Sequence, residues 1–313
     1  MTKAAPLYED ISGGPEGGSG HWLTTSDGKR IRIGYWPLED AKGTILIFPG
    51  RTEFVEKYGK TAKAFRDAGY ASLSIDWRGQ GLADRMMDDA AVGHVEDFQD
   101  YQKDVAAVMA FVAEQNLPKP YFLLGHSMGG CIGLRALHEG LDVKAAMFSA
   151  PMWGVTMSAA LRPAAWAMSA LSIKLGFDKR LSPGQSTDFY VLREPFENNT
   201  LTNDPEMWAW FGSQLDAQPG LGLGGPSLRW LYLALTEMRQ LSKMPSPKVP
   251  CLTYLGTREQ IVDPQRIRDR MKDWPGGKLR VIEGGQHEML MDKPEMRDML
   301  IAETVALFDA HLA

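Results

Sequence analysis

Cysteine is nearly missing from this 313-residue chain, which has only Cys131 and Cys251. Both stand inside apolar segments and read as buried free thiols rather than a disulfide. Such sparse use fits a reducing compartment. An excess of positive charge is missing too: the net charge is −5. No basic stripe with interleaved aromatics occurs, so no nucleic-acid partner is expected. Long hydrophobic runs are absent. The longest, residues 164–173, is bounded by Arg162-Pro163 and Lys174 and is about half of the ~20 residues a membrane span needs. Residues 1–11 lack the apolar core of a secretory signal. A soluble, cytoplasmic protein without a transmembrane segment is the expectation. The scattered histidines and two distant cysteines show no metal-ligand spacing, so neither metal nor organic cofactor is expected.

What is present is an alternation. The chain is long enough for one large domain, or for a core with a smaller insertion. The first 20 residues, Gly-rich from 12 to 20, read as a flexible lead-in. Strand-length apolar runs follow at residues 30–36, 44–48, 70–75, 121–124 and 143–149. Helix-period segments lie at 56–68, 95–115 and 128–139. This order predicts a mostly parallel sheet with helices on both faces. From 151 to 247 no convincing strand occurs; Trp, Met, Ala and Leu dominate, and the stretch reads as an inserted helical lid. Alternation resumes with strands at 251–255 and 278–282 and helices at 264–274 and 294–312. The predicted core is therefore residues 21–150 and 248–313.

Within it, Gly125-His126-Ser127-Met128-Gly129 matches G-x-S-x-G between an apolar strand and a helix. There a serine sits on a sharp, strained turn and glycines relieve crowding. A serine hydroxyl needs a base to become a nucleophile. Of the six histidines, His287 alone lies in a loop after the last strand, approached by Gly284-Gly285. His126 lies in the elbow itself, pointing away from Ser127. The acid is expected after strand 251–255, where Glu259 is preferred; Asp263, before Pro264, reads as a helix N-cap. Oxyanion donors are expected from the backbone N–H of Met128 and, in the loop after strand 44–48, of Arg51. The Arg51 side chain is expected to pair with Glu53, contact a polar head group or simply lie on the surface. The turn at 76–81 reads more readily as a tight glycine turn than as a wall of the site.

Five segments together resemble the bacterial lysophospholipase and monoacylglycerol lipase group of α/β hydrolases. They are Phe48-Pro-Gly-Arg-Thr-Glu-Phe-Val-Glu-Lys-Tyr58, Asp76-Trp-Arg-Gly-Gln-Gly81, Gly125-His-Ser-Met-Gly-Gly130, the loop 256–263 and Gly285-Gln-His-Glu288. The resemblance implies an α/β-hydrolase fold with an inserted lid. It also implies hydrolysis of lipid monoesters by a Ser127–His287–Glu259 triad through an acyl-enzyme. The chain departs from the group's pattern in Pro49-Gly50 for His-Gly, Glu259 for Asp, and Ala83 for a serine. Another serine acyl hydrolase on the same fold (short-chain esterase, thioesterase or amidase) is the alternative, and a non-catalytic binding protein a weaker one. Lid tryptophans Trp153, Trp166, Trp208 and Trp210 are candidates to line an acyl pocket. Peripheral contact with membrane lipid is compatible with such a surface.

Overall fold

Five runs, TILIF, ASLSID, YFLLGH, AAMFS and CLTYLG, are buried at every position. A strand covered on both faces has no solvent side, which is why these runs show no polar alternation. In the computed structural model, which describes residues 3–158 and 160–313, they form the middle of one sheet. The elements in order are β1 (Lys3–Ala5), α1 (Glu9–Ser12), β2 (Ser19–Thr24), β3 (Arg30–Trp36), β4 (Thr44–Phe48), α2 (Gly59–Asp67), β5 (Ala71–Asp76), α3 (Asp100–Glu114), β6 (Tyr121–His126), α4 (Met128–His138) and β7 (Ala145–Ser149). Then come α5 (Leu161–Leu175), α6 (Tyr190–Arg193), α7 (Pro205–Ala217), α8 (Leu228–Leu241), β8 (Cys251–Gly256), α9 (Pro264–Lys272), β9 (Gly277–Ile282) and α10 (Pro294–Asp309).

The sheet order is β1-β2-β3-β5-β4-β6-β7-β8-β9. The pairs from β5 to β9 are parallel, and β1, β2 and β3 join antiparallel at one side. This is the expected mostly parallel α/β-hydrolase sheet flanked by helices. The chain runs outward in opposite directions from β4, so the loops after β4 and β6 meet at a switch in strand order, where open α/β sheets bind ligands. Cys131 and Cys251 are buried free thiols, and burial raises both well above the usual thiol range.

The structure corrects the flexible lead-in reading for residues 3–20; residues 1 and 2 lie outside the described residues. Lys3–Ala5 pairs with residues 20–22 of β2. The Tyr8 N–H donates to Glu56 Oε1 at 3.1 Å, and Arg32 Nη1 donates to the Pro6 carbonyl at 3.0 Å. The glycines there serve packing, not flexibility: a Cβ at Gly14 or Gly18 would stand 2.8 Å from the Trp36 ring. The helix expected from 95 begins only at Asp100. Asp97 Oδ1 accepts the Gln99 N–H at 3.0 Å, a local turn that competes with helix, and Phe98 packs between Tyr101 and Trp230. The helix expected from 56 opens as a 3₁₀ turn, Val55–Tyr58, before α2.

Between β7 and β8 the described residues make α5 to α8 and no sheet strand; their β contacts are isolated bridges such as Val155 to Val262 and Leu181 to Ser227. Asp204 caps α7 ahead of Pro205, and Ser227 caps α8. Helix α5 packs on α8, with Trp166 edge-on to Tyr232 at 5.8 Å. Its polarity is reversed: Ser169 and Ser172 face inward and are buried, while Leu161, Leu171 and Leu175 are 63%, 51% and 62% exposed. The buried hydroxyls are satisfied by backbone carbonyls one turn back. Among the described residues no helix is long and apolar enough to cross a membrane.

Candidate active site

Ser127 stands between the end of β6 and the start of α4 at φ 49° and ψ −117°. A non-glycine residue in that region is strained and is held there by its surroundings. The Ser127 N–H donates to Ser149 O at 3.1 Å, and the Ser127 carbonyl accepts from Gly130 N at 2.9 Å and Met152 N at 2.8 Å. Two residues on, a Cβ at Gly129 would stand 1.9 Å from the Phe48 carbonyl oxygen. Glycine is therefore required for the end of β4 to press against the elbow. Met128 opens α4, where the first N–H groups lack intrahelical partners and carry the positive end of the helix dipole.

His287 and Glu259 meet although they come from loops after different strands. His287 Nδ1 lies 2.8 Å from Glu259 Oε2. The other oxygen, Glu259 Oε1, accepts the N–H groups of Ile261 at 2.6 Å and Val262 at 3.0 Å. Burial works to raise the Glu259 pKa, but His287 and these two N–H groups outweigh it and hold the carboxyl below its ordinary value. With Nδ1–H given to Glu259, the imidazole keeps Nε2 for a proton from a nucleophile. Asp263 instead caps α9, accepting from Gln265 and Arg266, and faces Arg162 at 3.3 Å. The loop bearing His287 is anchored by the insertion: Leu201 O accepts the Glu288 N–H at 2.7 Å, and Thr200 O accepts the His287 N–H at 3.5 Å.

The loop after β4 is fixed from below. The Gly50 N–H donates to Glu53 Oε2. Trp77 Nε1 donates to Pro49 O at 3.0 Å, and Gln80 Nε2 donates to Gly50 O at 2.9 Å. The glycine turn at 76–81 thus also props the loop that carries Arg51. The Arg51 side chain turns toward the insertion. Its Nη2 donates to Gly224 O of the insertion, and the guanidinium lies over Trp230 at 5.3 Å. Burial brings it down to about 10, with Tyr101 opposing.

The four tryptophans do not share one place. Trp153 belongs to the core, a correction to its expected lining role: it donates to Gly130 O at 3.1 Å, stacks on Trp274 and meets Phe148 edge-on. It follows β7 so closely that the strand's exit carries it under the elbow helix. Trp166 lines an open recess of about 450 Å³ with Met157, Arg162 and Pro163. Trp210 lies under the Lys60 ammonium, 4.2 Å from its ring. Trp208 packs against Tyr190, whose hydroxyl accepts the Thr200 N–H at 3.2 Å; it alone of the four is linked by these contacts to the His287 loop.

Residue-type spacing did not reveal a buried cluster beside this site. Glu53, His126 and Glu288 offer donor atoms all within 4.8 Å of one another. Such a set could ligate a metal, but the Lys57 ammonium already bridges it, 2.6 Å from Glu53 Oε1 and 2.7 Å from Glu288 Oε1. The His126 and His287 rings lie 4.8 Å apart, centroid to centroid. Two carboxylates in the segments 48–58 and 285–288 were the available signal; which cation they faced was not in the sequence.

Comparisons with known proteins bear on the family and the fold. A sequence profile described as serine aminopeptidase, S33, matches residues 39–294. The chain is 30% identical over 282 residues to lysophospholipase L2 of Escherichia coli strain K12, covering 85% of this chain and 80% of that protein. It is 28% identical over 277 residues to a probable lysophospholipase L2 of Haemophilus influenzae, covering 86% of each. Among solved structures, a soluble variant of monoglyceride lipase from Saccharomyces cerevisiae superposes with a TM-score of 0.72 at 19% identity, covering 92% of this chain and 94% of that one. With the profile spanning most of the sheet and both loops that bring Glu259 and His287 together, the chain belongs to the serine aminopeptidase S33 family of α/β hydrolases, in its lysophospholipase and monoacylglycerol lipase group, and is a carboxylic ester hydrolase.

Proposed function

We propose that this enzyme hydrolyses lipid monoesters, lysophospholipids or monoacylglycerols, with Ser127 as nucleophile, His287 as base and Glu259 as the group that orients and stabilises the imidazolium. The observation that carries the reading is the 2.8 Å pair of His287 Nδ1 with Glu259, with the His287 ring 4.8 Å from that of His126, the residue before a serine held at positive φ. In the first step Ser127 Oγ attacks the ester carbonyl and gives its proton to His287 Nε2. The N–H groups of Met128 and Arg51 stabilise the oxyanion. The alcohol leaves with the proton from His287. Water, deprotonated by His287, then releases the fatty acid and restores Ser127.

Residues 151–247 act as the lid in this reading. Its contacts with both loops of the site, Arg51 to Gly224 and Glu288 to Leu201, support that role. The outward face of α5 supports peripheral contact with lipid. Its leucines point away from the core, and Arg162, Lys174, Lys179 and Arg180 lie along or just beyond it with Asp178 as the acidic exception, in a chain of net charge −5. Exposed apolar helix faces with basic neighbours bind anionic lipid interfaces. The relatives named lysophospholipase support the lipid class.

The test has two arms. A fluorophosphonate probe should label the protein at Ser127 and lose its target in Ser127→Ala. Across p-nitrophenyl esters from acetyl to palmitoyl, kcat/KM should rise beyond the shortest. Strict preference for acetyl would remove the lipid reading while leaving the esterase intact.

A further inference from the structure

Glu53, Lys57, His126 and Glu288 are each 2–6% exposed, and they come from three separate segments. Each is tied to a different part of the reaction centre. His126 precedes Ser127, Glu288 follows His287, and Glu53 accepts the N–H of Gly50, next to Arg51. We propose that these four side chains form one electrically neutral unit, with His126 as an imidazolium, that positions the elbow, the oxyanion loop and the base loop relative to one another and releases them at alkaline pH. The proposal rests on the assignment of Ser127 and His287 above.

The protonation of His126 follows from what its two nitrogens face. Nδ1 lies 3.0 Å from the Ser149 carbonyl oxygen. Nε2 has no hydrogen-bond partner among the described residues but lies at ion-pair distance, 3.4 Å from Glu288 Oε1 and 3.6 Å from Glu53 Oε1. The carbonyl only accepts, so Nδ1 carries a hydrogen, and the two carboxylate oxygens facing Nε2 favour a second one there, which makes the ring an imidazolium. Two carboxylates are then matched by one ammonium and one imidazolium. The Tyr58 hydroxyl donates to Glu53 Oε2 at 2.6 Å, the Phe211 ring covers the Lys57 ammonium at 4.6 Å, and the His287 ring packs on His126. Burial works against the imidazolium, but Glu288 and Glu53 outweigh it and lift His126 to about 9. Loss of that proton leaves two buried carboxylates with only Lys57 between them. An uncompensated buried charge is strongly unfavourable, so the unit opens and the three segments lose their common anchor. These groups titrate as a set, and the measured midpoint belongs to the unit.

The sign distinguishes this unit from inert packing. Its contribution is complete below the ordinary histidine value and is lost as pH rises through about 9. Hydrolysis of a soluble short-chain ester, followed by pH-stat from pH 6 to 10.5, should show an alkaline limb near that midpoint. E288Q keeps the shape but removes the largest support for the imidazolium, so the limb should move about one pH unit or more toward acid. H126Q should lose the limb and fall on the order of tenfold or more at neutral pH, because one negative charge is then always in excess. The double variant H126Q/E288Q is neutral again and should recover several-fold over H126Q. Histidine ring proton signals should include one titrating near 9 in the unmodified enzyme and missing in H126Q. A limb that persists in H126Q, an unmoved limb in well-folded E288Q, or no histidine titrating in that range overturns the proposal. Fluorophosphonate labelling separates the two readings: if Ser127 is labelled but the limb ignores these substitutions, the four-charge unit fails alone, and if Ser127 is not labelled, both fail.

Discussion

Glu259 spends both carboxylate oxygens on fixed partners: Oε2 on His287 and Oε1 on two backbone N–H groups. Replacing it by Gln leaves the shape but puts an amide against groups that all donate. The imidazole then loses the acceptor that selects its tautomer. We expect E259Q to lower kcat on the order of 10³- to 10⁴-fold, whereas D263N, at the α9 cap, should cost only about 1 kcal/mol of stability; equal losses of kcat in both would contradict the assignment. Gly129→Ala should fail differently, because its methyl would collide with the backbone carbonyl of Phe48. That variant should lose probe labelling and soluble yield together. At this scale Ser127, His287 and Glu259 were legible because each lies in a local pattern with a local reason. The neighbour of His126 was not: Glu53 and Glu288 face it only because two strand-end loops converge. The course of Arg51 was hidden for the same reason, its partner Gly224 lying in the insertion.

Two elements behave contrary to their composition. The first is the N-terminal segment, where glycines suggested freedom and the structure shows close packing on Trp36. Its carbonyl at Pro6 also helps satisfy Arg32, which is fully buried between Glu56 and Asp76 at 2.7 Å from each. Deleting residues 1–18 should therefore lower Tm by about 5 °C or more, since each kcal/mol is worth ~2–4 °C in a domain of this size; an unchanged melting curve would restore the lead-in reading. The second is α5, whose serines face in and leucines out. Exchanging Leu171 and Leu175 for Asp should cut co-sedimentation with anionic vesicles by roughly tenfold or more, given ~1.5–3 kcal/mol for each large apolar side chain withdrawn from lipid. If binding to neutral and anionic vesicles survives intact, the lipid face lies elsewhere. Strand assignments held where runs were fully apolar, as at 44–48. Helix starts slipped at 55–59 and 95–100, where side-chain turns and tertiary packing overrode the helical period.

For the whole molecule, two of the shifted groups near the site, Glu259 and His126, act on stability in opposite directions of pH. Glu259 is held below its ordinary value, so the stability it brings is present above the unfolded carboxyl value and is lost as pH falls through its folded one. His126 is raised, so its contribution goes the other way and is lost through about 9. Thermal melts should therefore be highest between these limits and fall on both sides. In H126Q the alkaline decline should flatten while the acid decline remains. A decline of the same depth on the alkaline side in H126Q would assign it to other groups.

The alternation of apolar runs, the G-H-S-M-G turn and the glycine-flanked histidine determined the sheet, the elbow and the candidate base. Those features are local: strand burial, turn sterics and loop position act within a few residues, and a linear text records them. Only the tertiary structure decided that the first residues complete the sheet, that Trp153 is core and that α5 turns its leucines outward. It also decided that four charges from distant segments neutralise one another beneath the elbow. Those outcomes depend on which surfaces and charges are brought together in a low-dielectric interior, where the energy of a group is set by its neighbours in space and not by those in the chain.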